Sequence, residues 1–225
     1  MVGALGCGKP AENARGTAAV PIESTTARGT PATTTTAPPR VLFLGTSLTA
    51  GLGVDPDSAY PAVVQRLATD AGLHVDVING GLSGETSAGA LRRADWLLSQ
   101  KVAVLVIETG ANDGLRGLDV DTTAANIAAL IGKARAKQPG MSIVLVQMEA
   151  PRNLGQAYTQ RFHALFAHVA ARERVRLLPF LLDGVAGKPE LNQDDGIHPT
   201  PEGARRVAAN VFRALRPVLD SLSRK

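Results

Sequence analysis

The chain has 225 residues, 44% hydrophobic and 20% charged, which is enough apolar material for one core of ordinary size plus an extension. Its net charge of +4 comes from basic residues scattered along helix-like segments, and aromatics are only 4%, so a basic–aromatic nucleic-acid surface has no support. The single cysteine, Cys7, rules out an intramolecular disulfide and a thiolate metal cluster.

Residues 1–40 read as a tether. From position 8 onward they are rich in Thr, Ala, Pro and Gly, with Thr33-Thr34-Thr35-Thr36 and Pro38-Pro39 near the end. No apolar periodicity is present, so burial could not offset the entropy of ordering, and disorder is expected. The stretch Gly3-Ala4-Leu5-Gly6-Cys7 resembles the tail of a bacterial lipoprotein signal, which implies a lipid on Cys7 and a place in the cell envelope or periplasm. Ala4 stands where a larger aliphatic is usual, and the basic and apolar regions of a complete signal are missing; a start codon called too late would account for both. An incidental cysteine in a disordered tail is the other reading.

From residue 41 to 222 strand-like and helix-like patterns alternate. Short aliphatic or β-branched runs occur at 41–44, 75–78, 102–108, 142–147 and 175–178. Segments with apolar residues at three- and four-residue spacing fill 59–71, 86–99, 122–137, 157–172 and 201–222. Thr200 and Pro201 are suited to the N-cap and first turn of the last helix. Five strands alternating with helices predict right-handed crossovers and a three-layer α/β/α sandwich with a five-stranded parallel sheet, flavodoxin-like in plan. The carboxyl ends of such strands share one rim, where ligands collect.

Four loops on that rim carry chemistry. They are Gly45-Thr46-Ser47-Leu48, Asn79-Gly80-Gly81-Leu82-Ser83-Gly84-Glu85-Thr86, Thr109-Gly110-Ala111-Asn112-Asp113-Gly114, and Asp194-Asp195-Gly196-Ile197-His198-Pro199. A serine hydroxyl becomes a nucleophile when an adjacent base takes its proton, and His198 is a base suited to neutral pH. Asp195, three residues before it across a glycine turn, can fix the imidazole tautomer, whereas Asp194 should point the other way. The Ser47 and Gly84 backbone N–H groups and the Asn112 side-chain amide form a natural oxyanion hole. The catalytic candidates are therefore Ser47, Asp195 and His198, with Ser47, Gly84 and Asn112 as oxyanion donors.

These blocks resemble the GDSL-like, SGNH-fold hydrolase family over 41–220, in particular its bacterial lysophospholipase/acyl-thioesterase I and arylesterase branch. The stretches Gly110-Ala-Asn-Asp-Gly-Leu-Arg-Gly117, Leu177-Leu-Pro-Phe180 and Gln193-Asp-Asp-Gly-Ile-His-Pro199 look like that branch's own. The resemblance implies hydrolysis of aryl and short-to-medium acyl esters, with acyl thioesters and lysophospholipids in the same range, and a small-molecule ester as partner. It calls for no cofactor. One position departs from the family pattern: its first block usually reads Gly-Asp-Ser, and Thr46 replaces the aspartate here. The expectation is retained activity, with a loop that has lost a carboxylate tie.

Candidate substrate-binding residues are Thr46, Asp113, Leu115 and Arg116 beside the hydroxyl and amide loops, and Glu149 and Pro151 in a wall at 148–155 that also carries Arg152. The remaining histidines, His74, His163 and His168, fall on strand or helix patterns and are expected away from the rim. No His or carboxylate cluster has metal-ligand spacing. Carbohydrate deacetylation uses the same fold and triad and stands as an alternative. A flavin-binding flavodoxin-like protein is a reading from another class, but it needs no Asp195–His198 pair. The α/β-hydrolase pattern is disfavoured because Thr49, rather than glycine, follows Ser47 by two positions.

Overall fold

The structure, a computed structural model, describes residues 37–222. The expected tether and Cys7 lie outside the described residues, apart from the last few positions before the first strand. Five strands form one parallel sheet in the order β2-β1-β3-β4-β5: β1 (Arg40–Gly45), β2 (Asp76–Gly81), β3 (Val104–Ile107), β4 (Ser142–Gln147) and β5 (Arg176–Phe180). The strands β1, β3 and β4 sit in the middle of the sheet, and every residue of Val41–Leu44 and Val104–Ile107 is buried. Strands covered on both faces read as unbroken apolar runs rather than as alternation, which is why these segments stood out.

Helices cover both faces. On one, α2 (Tyr60–Asp70) packs against α7 (Pro201–Leu222); on the other, α3 (Ser87–Leu97) packs against α5 (Val120–Lys137), and α5 against α6 (Gln156–Glu173). Two short helices, α1 (Ser47–Ala50) and α4 (Ala111–Leu115), sit at the carboxyl ends of β1 and β3. The sequence reads as loops there, because four or five residues are too few to show a helical period. Thr200 caps the last helix as expected, its hydroxyl accepting from the Gly203 N–H at 3.2 Å. No helix among the described residues is long and apolar enough to cross a membrane.

The second strand is displaced from its expected place, ending at Gly81 rather than at position 78. Its register pairs Phe43 with Asn79 and Leu44 with Gly80, so two glycines and an asparagine that look like turn residues are still in the ladder. That extension carries the following loop up to the serine, where the Leu82 N–H donates to the Gly45 carbonyl at 2.9 Å.

Candidate active site

Ser47 is the first residue of α1, reached by a sharp turn off β1. The Ala50 N–H donates to the Thr46 carbonyl and the Gly51 N–H to the Ser47 carbonyl, closing the short helix. The register Leu44↔Ile107 places Glu108, the residue after β3, beside Gly45. Glu108 is fully buried beneath the serine turn. It accepts from the Thr46 N–H at 2.8 Å, from the Thr46 hydroxyl at 3.0 Å and from the Thr49 hydroxyl at 2.8 Å. Tyr60 completes the chain by donating to Thr49 at 2.8 Å. A Cβ on Gly45 would lie 2.0 Å from Thr49 Oγ1 and 2.6 Å from Glu108 Oε2, so only glycine leaves room for this arrangement. Burial pushes the Glu108 carboxyl up to about 7, against the downward pull of the Thr46 N–H and the two hydroxyls. Burial and the nearby Glu108 charge likewise hold the Tyr60 phenol well above its ordinary value.

His198 arrives from the other end of the chain, on a loop before α7. Its Nε2 lies 2.8 Å from Ser47 Oγ, and its Nδ1 lies 2.6 Å from Asp195 Oδ2. The second Asp195 oxygen accepts from the backbone N–H groups of Ile197 and His198, at 2.8 and 2.9 Å. The His198 N–H, its imidazole and the Ile197 N–H together hold the Asp195 carboxyl down at about 2. An ionised Asp195 keeps the proton on Nδ1, which leaves Nε2 free to accept the serine proton. Gln193 stitches this loop to the serine loop: its amide donates to the Leu52 carbonyl at 2.8 Å and to the Pro199 carbonyl at 3.0 Å.

The remaining two loops bring the expected donors to the same rim. The Asn112 amide spends one hydrogen on the Glu85 carbonyl at 3.0 Å and keeps the other. Gly84 has φ +76°, a left-handed conformation that glycine adopts without strain. Its carbonyl accepts from Arg116 Nη2 at 3.0 Å. Neither the Ser47 nor the Gly84 N–H makes a hydrogen bond among the described residues. Below this loop Arg93 pairs with the buried Glu85 at 2.5 Å and also donates to the Gly80 carbonyl at 2.7 Å and the Gly45 carbonyl at 3.2 Å.

Beside the hydroxyl runs a groove of about 780 Å³. Leu48, Leu115, Met148, Phe180, Leu182 and Ile197 give it an apolar floor, and Glu149, Arg152 and His163 give it a polar side. Leu48 and Leu182 also line a hollow of about 10 Å³ that touches Ser47 and His198, which puts the groove next to the reacting atoms.

Not every candidate substrate residue faces that groove. Leu115, Glu149 and Pro151 line it. Thr46 does not: it is 1% exposed and its side chain is committed to Glu108. Its place in the family pattern therefore has a different consequence from the one expected, since the loop is tied down by Glu108 from below. Asp113 is also turned inward, 2% exposed, accepting from the Ser87 N–H at 2.8 Å and the Ser87 hydroxyl at 2.6 Å. Successive side chains of a helix point about 100° apart, so Asn112 at the rim sends Asp113 into the packing between α4 and α3. Arg116 grips the Gly84 carbonyl and so supports the donor loop. His163, expected away from the rim, lies on the groove with its Nδ1 2.6 Å from Glu149 Oε1. The reading of Glu108 as the end of a strand missed its place under the serine, and the signal was there: a carboxylate closing an apolar run that must be buried.

Comparison with known proteins bears on the family and the fold. Residues 43–206 match the GDSL-like Lipase/Acylhydrolase family. The chain is 39% identical over 180 residues to Esterase TesA of Pseudomonas aeruginosa, covering 80% of this chain and 89% of that protein. It is 37% identical over 177 residues to an arylesterase of Vibrio mimicus, covering 78% and 88% respectively. The crystal structure of TesA superposes with a TM-score of 0.76 at 39% identity, covering 80% of this chain and 99% of that one. The chain belongs to the GDSL-like lipase/acylhydrolase family.

Proposed function

We infer that this protein is a serine esterase that hydrolyses carboxylic esters through an acyl-enzyme on Ser47. The observation that carries this is the unbroken relay from Ser47 Oγ through His198 to Asp195, at 2.8 and 2.6 Å. His198 Nε2 takes the hydroxyl proton as Oγ attacks the ester carbonyl carbon, and the carbonyl π electrons move onto oxygen. The Ser47 and Gly84 N–H groups and the free Asn112 amide hydrogen receive that oxyanion. When it collapses, the C–O bond to the leaving group breaks and His198 returns the proton to the departing alcohol. Water, deprotonated by the same imidazole, then releases the acid by the reverse sequence. Asp195 stays ionised and stabilises the imidazolium in both halves.

The apolar floor of the groove supports aryl and short-to-medium acyl esters, with acyl thioesters and lysophospholipids as the wider range, and it is the observation that favours these over acetylated carbohydrate. Ser47→Ala is expected to lower kcat on p-nitrophenyl butyrate by about a thousand-fold or more with an unchanged circular dichroism spectrum. Full activity in that variant would overturn the assignment. Attachment to a bacterial membrane through a lipid on Cys7 belongs to the same reading and rests on residues 3–7 alone. An unmodified Cys7 in the intact mass of protein isolated from its host ends it.

A further inference from the structure

We propose that Glu108 is the positioning residue of the nucleophile, the single acceptor that orients the Ser47 turn for attack and for oxyanion binding. This rests on the reading of Ser47 as the nucleophile and extends it to a residue that never meets the substrate.

Three donors converge on one carboxylate from the two sides of Ser47 in sequence: the N–H and hydroxyl of Thr46, and the hydroxyl of Thr49. With Thr46 pinned downward and its carbonyl accepting from Ala50, the next peptide unit has one orientation left. The Ser47 N–H must point opposite to that carbonyl, out of the helix start, where it is free to donate. Side-chain direction follows from the same backbone, so the carboxylate sets both the hydroxyl and one oxyanion donor.

The site is built for this purpose at some cost. Every hydrogen-bond partner of Glu108 among the described residues is neutral, and the carboxyl is wholly removed from water. A buried carboxyl without a cation destabilises a fold. An apolar side chain in that space would fill it more cheaply, yet it would leave the Thr46 N–H and two hydroxyls without an acceptor. Gly45 is bare because the Thr49 hydroxyl and the Glu108 oxygen occupy the volume of its missing Cβ. The packing therefore serves an acceptor at this point, on the blind side of the serine.

The test compares Glu108→Gln, Glu108→Leu and Glu108→Ala with wild type on p-nitrophenyl butyrate, with melting temperature measured on each. Glutamine keeps a carbonyl for the Thr46 N–H, and its amide can donate to either hydroxyl. Leucine keeps volume and loses the acceptor. Glutamine is expected within about tenfold of the wild-type kcat, and leucine and alanine about a hundred-fold down, with KM within about threefold, because displacement of the reacting atom by about 1 Å acts on the chemical step. Leu130→Ala, a core change in α5, is the stability control and should keep kcat while folded. A leucine variant within about threefold of wild-type kcat overturns the proposal, as does a loss confined to KM. Should none of the Glu108 variants fold, Thr49→Val removes one donor from the same carboxylate; a kcat loss of about threefold or more supports the proposal and a smaller one overturns it. Full activity in Ser47→Ala would instead remove the reading of the nucleophile itself, whatever the Glu108 variants do.

Discussion

The two carboxylates that serve Ser47 are placed in opposite surroundings. Glu108 is fully buried at the end of the central sheet, with its carboxyl pushed up to about 7. Asp195 has 45% of its side chain exposed, on a loop, with its carboxyl held down at about 2 by the His198 and Ile197 N–H groups and the imidazole. The difference follows the work proposed for each. Asp195 must stay charged beside an imidazole that becomes cationic, so water and three donors suit it. Glu108 faces donors that are all neutral and never meets a developing cation, so it sits where its charge is weakest. The hydroxyl side of the site is part of the sheet, and the base side hangs from it on a loop.

That contrast can be broken from either side. The largest effect is expected from Asp195→Asn, which keeps shape and frees the imidazole to take the wrong tautomer. The kcat for p-nitrophenyl butyrate should fall by about a thousand-fold or more while the melting temperature changes little. A loss below about tenfold would mean that His198 is oriented by the loop alone. Next comes Asn112→Ala, which removes a donor without touching either carboxylate; a fall in kcat of about a hundred-fold is expected, with little change in KM. The smallest effect is thermodynamic. Glu108 holds its proton more tightly folded than unfolded, so its contribution to stability is complete below about pH 4.5 and is lost as pH rises through about 7. Asp195 has the opposite sign: its contribution is present above about pH 3.8 and is lost as pH falls through about 2. Melting temperature measured between pH 5 and pH 8 should therefore decline in wild type, and Glu108→Gln should flatten the curve.

What was legible in the sequence depended on whether geometry is local. Asp195 and His198 are three residues apart across Gly196, and that spacing alone brings the carboxylate onto both the backbone and the ring. Ser47, Gly84 and Asn112 were found because parallel strands bring their carboxyl ends to one rim, so strand order did not need to be known. Thr46 and Asp113 were placed toward substrate because each adjoins a rim residue. Adjacency along the chain says nothing about which way the next side chain points, and both point inward. Glu108 and the Arg93–Glu85 pair were missed for a related reason: their partners lie 59 to 62 and 8 residues away, and only the folded register brings them together. The α6 face carrying His163 has no distinctive pattern, since its groove partner Glu149 lies on a different element.

The distance of 151 residues between Ser47 and His198 has a consequence for the order in which the protein acquires its chemistry. Synthesis runs from the amino end, so the serine turn, its buried glutamate and both donor loops leave the ribosome long before the base does. A nascent chain ending before the loop that carries His198 has a hydroxyl with nothing to take its proton. On the proposed triad the newborn protein is inert toward esters until α7 packs against α2 and brings the imidazole home, and hydrolytic activity reports completion of the whole domain rather than of the half that holds the nucleophile.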